Sequence, residues 1–372
     1  MRTIFNRAGF NRRGFNRRGF NRRGFNRIAV LLTAAATALA LGACGSAPES
    51  DTDGQTTAEA AGEKLVVYSG RNEQLVAPLI ERFSTDTGIE VDVRYAGSGE
   101  LAAQLITEGD RSPADVFLSQ DAGALGAVTE AGLFTPIDPE TLAKVPAHFS
   151  AADGTWLGVS GRARVVVYNP DLAPEPPDTI DGLLDPQWAG GKIGFAPSNA
   201  SWQSFVTGLR VLRGEDGARQ WLEAFKAQEP QAYENNVAVR DAVDAGQIPL
   251  GLVNHYYLYE LIKAKGADAV VAENQYMAPG DPGGLINVAG VGVLKTASNP
   301  EAAQRFAAYL VEKDAQEYFA EETSEYPLID GVPAGPEMPP LADLQPPEVD
   351  LSQLSDLEAT QELLVETGLL TN

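Results

Sequence analysis

Two adjacent phenols, Tyr256 and Tyr257, are the residues whose type and spacing best suit chemistry. They follow an apolar run, residues 248–253, that is bounded by Gly246 and partly β-branched, so it reads as a buried strand. From His255 the spacing turns helical, with Tyr257, Leu261 and Ile262 on one face before Gly266 stops the helix. Asn254 stands at the join, where its side-chain oxygen is expected to cap the first helical turn. The pair therefore projects near the carboxyl end of a strand, where open α/β sheets bind ligands. The positive end of the helix dipole is expected to favour phenolate over phenol. Two phenolates would offer two hard anionic oxygens to a hard cation such as ferric iron. Taken alone, the pair could as well be one ring in a core and one on the surface. His255 is one of only two histidines and adjoins the pair, but a helical neighbour points elsewhere, so neither it nor His148 is counted as a ligand.

The elements that must position these phenols alternate in type. Residues 64–68 read as a strand, 74–87 as a helix with Leu75, Leu79, Ile80 and Phe83 inward, and 89–95 as a second strand. A Gly-rich loop at 96–99, a helix over 100–108 and a strand over 114–118 follow, ending at Ser119, Gln120 and Asp121. This alternation predicts a parallel α/β sheet. A second set repeats the logic: strands at 163–168, 192–196 and 248–253, and helices over 202–213 and 217–227, with residues 237–245 leading into the last of these strands. A strand at 289–294, one or two helices over 300–319 and a last helix near 356–367 complete the chain. Two α/β lobes with a cleft between them fit this layout better than one long sheet. Residues 64–163 and 288–331 are assigned to lobe 1, and 164–287 and 332–372 to lobe 2.

Charge is unevenly spread along the 372 residues. The first 27 carry nine Arg and no acid, and from Cys44 onward there are 19 Lys and Arg against 51 Asp and Glu. So acidic a chain is a poor partner for nucleic acid. The Arg-rich leader, with Gly-Phe-Asn-Arg-Arg at residues 9, 14 and 19, precedes an apolar stretch over 28–43 that is too short to span a bilayer. Residues 1–43 thus have a secretory signal layout, with the export route, general or twin-arginine, left open. Leu41-Gly-Ala-Cys44 resembles a bacterial lipobox, so Cys44, the only cysteine, is read as a lipidation site on the outer face of the cytoplasmic membrane. Residues 44–63 hold no large apolar side chain and read as a flexible tether.

Several ordered stretches together resemble one family. They are Val67-Tyr-Ser-Gly-Arg-Asn72, Ser112-Pro-Ala-Asp-Val-Phe117, Ser160-Gly-Arg-Ala-Arg-Val-Val-Val-Tyr168, Asn254-His-Tyr-Tyr257, Asp281-Pro-Gly-Gly284 and Glu325-Tyr-Pro-Leu328. From residue 64 to the C-terminus the chain resembles the ferric-iron-binding substrate-binding proteins of ABC importers. The resemblance implies an α/β, two-lobed periplasmic binding protein-like fold of type II, a monomer serving an ABC permease and its ATPase. It implies Tyr256 and Tyr257 as the ferric ligands. Where the family commonly has a His and a Glu, this chain has Asn72 and Gln120, neutral amides that leave the iron short of charge. A carbonate or phosphate would then complete the shell, at positions matching Ser198, Asn199, Ala200, Asn236 and Asn254, with Arg162 and Arg164 lining the cleft. A helix start and guanidinium groups do make an anion site by general rules.

Two other readings compete. Relatives of the scaffold carry polyamines, thiamine, phosphonates or sugars, and paired aromatics can cup a cation. An enzyme is disfavoured, because no Gly-x-Ser-x-Gly, phosphate-loop or zinc motif occurs and no nucleophile is paired with a base.

Overall fold

The structure, a computed structural model, describes residues 64–370. Cys44, the leader before it and the tether up to residue 63 lie outside the described residues.

The chain opens with β1 (Lys64–Ser69), α1 (Glu73–Thr87), β2 (Glu90–Tyr95), α2 (Ser98–Glu108), β3 (Val116–Ser119) and α3 (Ala122–Glu130). Local chemistry sets these boundaries. Asn72 caps α1 by accepting from the Gln74 N–H, and Gly88 closes it at φ 74°, in the left-handed region that favours glycine. Next come β4 (Phe134–Thr135), α4 (Pro139–Leu142), β5 (Trp156–Tyr168), β6 (Ile193–Phe195) and α5 (Ala200–Ala227). Helix α5 breaks at Gly214, so it comprises two helical pieces, as the sequence spacing predicts. Then follow β7 (Gln231–Ala232), α6 (Asn236–Asp244), β8 (Leu250–Asn254), α7 (Tyr256–Lys265), β9 (Glu273–Gln275), β10 (Ile286–Leu294), α8 (Pro300–Leu310), α9 (Lys313–Glu322) and α10 (Leu357–Glu366).

Strand β5 joins two half-sheets. In the first, β1 pairs parallel with β2 and β3, and β10 runs antiparallel to β3 and to Trp156–Ala163 of β5. In the second, residues 164–168 of β5 pair antiparallel with β8, and β6 lies parallel to β8. The sheet is thus mixed, because β10 and β5 run antiparallel to their neighbours while β1–β3 and β6–β8 pair in parallel. The sequence reading begins β5 at residue 163, whereas the strand extends back to Trp156. Its first half hides its pattern behind Gly158 and Gly161. A Cβ at 158 would lie 2.6 Å from the Phe149 carbonyl oxygen, so close backbone packing displaces the usual side-chain alternation.

Each half has its own apolar interior. The first, around Leu65, Phe83, Phe117 and Phe306, fills both sides of its half-sheet. In the second, Val166 faces Trp202 and Phe225, while Val165 and Val167 face Val239 and Val253 on the other side. That alternation follows from the two-residue period of a strand. Residues 334–354, which the sequence reading assigns to lobe 2, instead send Leu351 and Leu354 into the first core. Helix α3 makes room for them with Gly123 and Gly126. Helix α10 then carries the chain to the second core through Leu363 and Leu364.

Candidate metal centre

Strand β8 places Asn254 opposite Arg164 of β5, and α7 starts immediately beyond. His255 precedes the helix with helical backbone angles and no side-chain cap is made, so Asn254 does not cap as the sequence predicts. It stays in the strand because its backbone is held in the β5 ladder. The His255 ring is fully buried, tilted against Tyr326 at 4.7 Å, with Nδ1 accepting from the Ala163 N–H at 3.2 Å. Burial pulls its pKa down to about 4, so this imidazole is neutral.

Tyr256 and Tyr257 lie side by side, with ring centroids 4.3 Å apart and planes at 33°. Tyr256 is 6% exposed and Tyr257 is half-buried. The helix dipole is expected to favour phenolate, but burial, followed by the neighbouring Tyr257, pushes the Tyr256 phenol well above its ordinary range. Arg162 opposes this without overcoming it. Desolvation wins because it penalises the charged form over the whole buried ring, whereas the dipole acts only within one turn. Tyr256 is therefore protonated here, and a cation binding it must displace that proton.

Three buried arginines surround the pair. Arg71 donates to both oxygens of Glu325, at 2.9 and 2.7 Å, and Ser160 Oγ donates to the same carboxylate at 2.9 Å. Arg162 Nε lies 4.0 Å from Glu325 and makes no hydrogen bond. Burial opposes ionisation of Glu325, but Arg71, then Arg162 and Ser160, hold its carboxyl below the usual range. Arg164 has no carboxylate at all. Its Nη1 donates to Ser201 Oγ at 3.2 Å, its guanidinium lies 5.3 Å from the Phe205 ring, and its Nη2 is buried without a hydrogen-bond partner. Burial lowers its pKa to about 10, so it keeps its charge at neutral pH. Arg71 and Glu325 occur in the motifs above, but residue type gave them no role, because nothing local marks an ion pair closed across 254 positions.

The remaining positions divide. Asn72 is exposed, and its Oδ1 accepts from the Gln74 N–H at 2.9 Å. Gln120 is half-buried and lines the space between the half-sheets. Asn199 Oδ1 accepts from Ser201 N–H at 2.9 Å and from Asn236 Nδ2 at 3.2 Å, and Asn236 Nδ2 also reaches Ser201 Oγ at 3.0 Å. Asn199, Ser201, Asn236 and Arg164 thus form one polar network at the start of α5. Arg162, Arg164, Asn254 and Ala200 close around a pocket of about 10 Å³. A chamber of about 590 Å³ adjoins it, lined by Gln120, Ser198 and Ala200 among others. Among the described residues, no three His, Cys, Asp or Glu side chains come together to hold a metal. No described helix is long and apolar enough to cross a membrane.

Residues 111–351 match the family described as bacterial extracellular solute-binding protein. The Fe(3+)-binding periplasmic protein of Serratia marcescens is 36% identical over 316 residues, covering 84% of this chain and 93% of its own. Iron-bound HitA from Pseudomonas aeruginosa superposes with a TM-score of 0.77 at 34% identity, over 82% of this chain and 99% of that one. The Trichodesmium protein named IdiA or FutA, solved with iron and citrate ligands, gives 0.72 at 32% identity over 82% and 99%. The two half-sheets joined through β5 are accordingly the two lobes of a periplasmic binding fold, and the chain belongs to the bacterial extracellular solute-binding proteins.

Proposed function

We propose that this protein binds ferric iron between its lobes and hands it to an ABC permease driven by its ATPase. Tyr256 and Tyr257 are the protein ligands in this reading, with Gln120, which lines the space between the half-sheets, a further candidate from lobe 1. The carrying observation is the juxtaposed pair of phenols at the β8–α7 junction, among three buried guanidinium groups. The names of the Serratia and Pseudomonas relatives support it.

Charge makes an anion necessary. Two phenolates leave one of the three positive charges of ferric iron uncompensated, and the Asp121 carboxyl that lines the arginine pocket is engaged by the Ala124 N–H at 3.0 Å. The unpartnered nitrogens of Arg162 and Arg164 favour an anion such as carbonate or phosphate. Ser198, Ala200 and Asn254 line the adjoining spaces and Asn199 and Asn236 share a polar network with Ser201, so these five residues would flank the anion. Asn72 is left out because it caps α1. Lipidation at Cys44 would hold the protein at the outer face of the membrane, next to the permease. Cargo release at low pH follows, since iron competes with protons for both phenols.

Titrating the apo protein with ferric citrate is expected to raise a phenolate-to-iron band in the visible, together with one iron per chain by elemental analysis. Tyr256→Phe should abolish the band's Tyr256 component and weaken binding beyond the roughly 10–100-fold typical of an outer-shell partner. A variant that keeps both colour and affinity would overturn the ligand assignment.

A further inference from the structure

We infer that Tyr259 and Lys263 are positioning residues of the metal centre: they latch α7, the helix that carries the phenols, to lobe 1 and so slow the release of iron. This inference rests on the iron reading above and concerns how the site is held together.

Helix α7 belongs to one lobe but is bonded to both. In lobe 2 Leu258 is buried, and Tyr257 and Ile262 pack beside it in the cluster of Val239 and Val253. Arg240 Nη1 of α6 donates to the Tyr257 carbonyl oxygen at 2.9 Å, which fixes the first turn there. His255, Tyr259 and Lys263 are spaced four apart, so they fall along one stripe of the helix. All three meet lobe 1. His255 lies against Tyr326, whose ring belongs to the first core. Tyr259 Oη donates to the Glu337 carbonyl oxygen at 3.2 Å. Lys263 Nζ donates to the Glu321 carbonyl oxygen and, at 3.2 Å, to that of Glu322.

The acceptors on lobe 1 suit these donors. Glu321 and Glu322 end α9, where carbonyls lack partners within the helix and the dipole is negative, so an ammonium group is favoured there. Glu337 has φ 72°, in the left-handed region that residues other than glycine rarely adopt. Its surroundings hold it in place. Ala334 and Met338 pack against the first core, and a Cβ on Gly335 would fall 2.9 Å from the Ala320 carbonyl oxygen of α9. The strap thus maintains a costly backbone angle at the residue whose carbonyl Tyr259 takes. Tyr276 adds a link, since its Oη lies 3.5 Å from Tyr259 Oη and accepts from Tyr326 Oη at 3.3 Å.

The consequence follows from the stiffness of one short helix, Tyr256–Lys265. Iron held between the lobes leaves when the phenols part from lobe 1. Helix α7 cannot carry Tyr256 and Tyr257 away without breaking the bonds of Tyr259 and Lys263. Those bonds therefore favour the assembled site and oppose its opening. Tyr259 is half-buried and Lys263 exposed, so both can be changed without emptying a core.

The test loads the full-length protein from ferric citrate, adds excess EDTA at neutral pH and follows the decay of the visible band. Tyr259→Phe and Lys263→Met should each speed release about threefold, and together about tenfold. The band maximum should stay in place, because both phenols remain. Lys263→Arg keeps a cationic donor and should release near the wild-type rate. Lys265→Met is the control on the same helix: it removes the 2.9 Å ion pair to Asp244 within lobe 2 and should leave release unchanged. Wild-type release in the double variant, no rescue by Lys263→Arg, or equal acceleration by Lys265→Met overturns the latch and leaves the iron reading standing. No band in the wild-type protein overturns both.

Discussion

Two buried guanidinium sites a few residues from the tyrosines are built in opposite ways. Around Glu325, Arg71 makes two charge-assisted hydrogen bonds, and Ser160 and Thr323 fill the remaining acceptor positions. Around Arg164 there is a hydroxyl, an aromatic face and one unpartnered nitrogen. Both arginines are buried, so both have lost water, yet only one has recovered an opposite charge. A charge buried without a counterion is costly unless something else supplies it. The contrast separates scaffold from site: Arg71 with Glu325 fixes the β1–α1 turn to β5 and the segment before Tyr326, while Arg164 is reserved for a ligand. Arg162, 4.0 Å from Glu325 and on the same face of β5 as Arg164, stands between them.

The largest effect is expected at the satisfied pair. Glu325→Gln leaves Arg71 buried beside a neutral amide and should lower unfolding free energy by about 3–5 kcal/mol, read from urea denaturation. Combining it with Arg71→Met should recover much of that loss, because the uncompensated charge is then gone. The pair also sets an acid limb. The folded Glu325 carboxyl titrates below its ordinary range, so its contribution is complete above the unfolded pKa and is lost as pH falls through the folded one. Wild-type stability should therefore decline more steeply than that of Glu325→Gln below about pH 4.5. Parallel acid profiles for the two proteins would contradict the assignment of this cluster as scaffold.

Much of the fold could be read before any coordinates, and the reasons are local. Strands β1, β3 and β8 are short apolar runs ended by polar or glycine residues, and the apolar positions of α1 repeat with helical period. Tyr256 and Tyr257 were found because residue type and position coincide in one stretch. What escaped depends on contacts distant in sequence. The Arg71–Glu325 pair joins opposite ends of the chain, the early half of β5 is masked by glycines that permit close packing, and the tail's place on α3 rests on Gly123 and Gly126. The upward push of burial on the Tyr256 phenol escaped for a related reason. A helix start is visible in sequence, whereas the burial that outweighs it is not.

An intermediate loss should mark Arg162. It shares Glu325 with Arg71 but makes no hydrogen bond to it, so Arg162→Met should cost about 1.5 kcal/mol or less by the same denaturation assay. A loss equal to that of Glu325→Gln would mean that Arg162, not Arg71, is the main partner of the carboxylate.

Arg164 should show the smallest change in stability and a large one in binding. Methionine there keeps the apolar stem against Phe205 and removes a buried charge that no carboxylate offsets. Unfolding free energy for Arg164→Met should lie between no change and a gain of about 1 kcal/mol. Iron binding supported by carbonate should nonetheless weaken about tenfold or more, because the anion loses a charge-assisted donor in a dry pocket. Raising the carbonate concentration should restore part of the visible band, since weaker anion binding yields to mass action whereas loss of a phenolate ligand does not. If Arg164→Met instead destabilises the apo protein by as much as Glu325→Gln, the unpartnered nitrogen is part of the scaffold. The division between the two arginine sites would then fall.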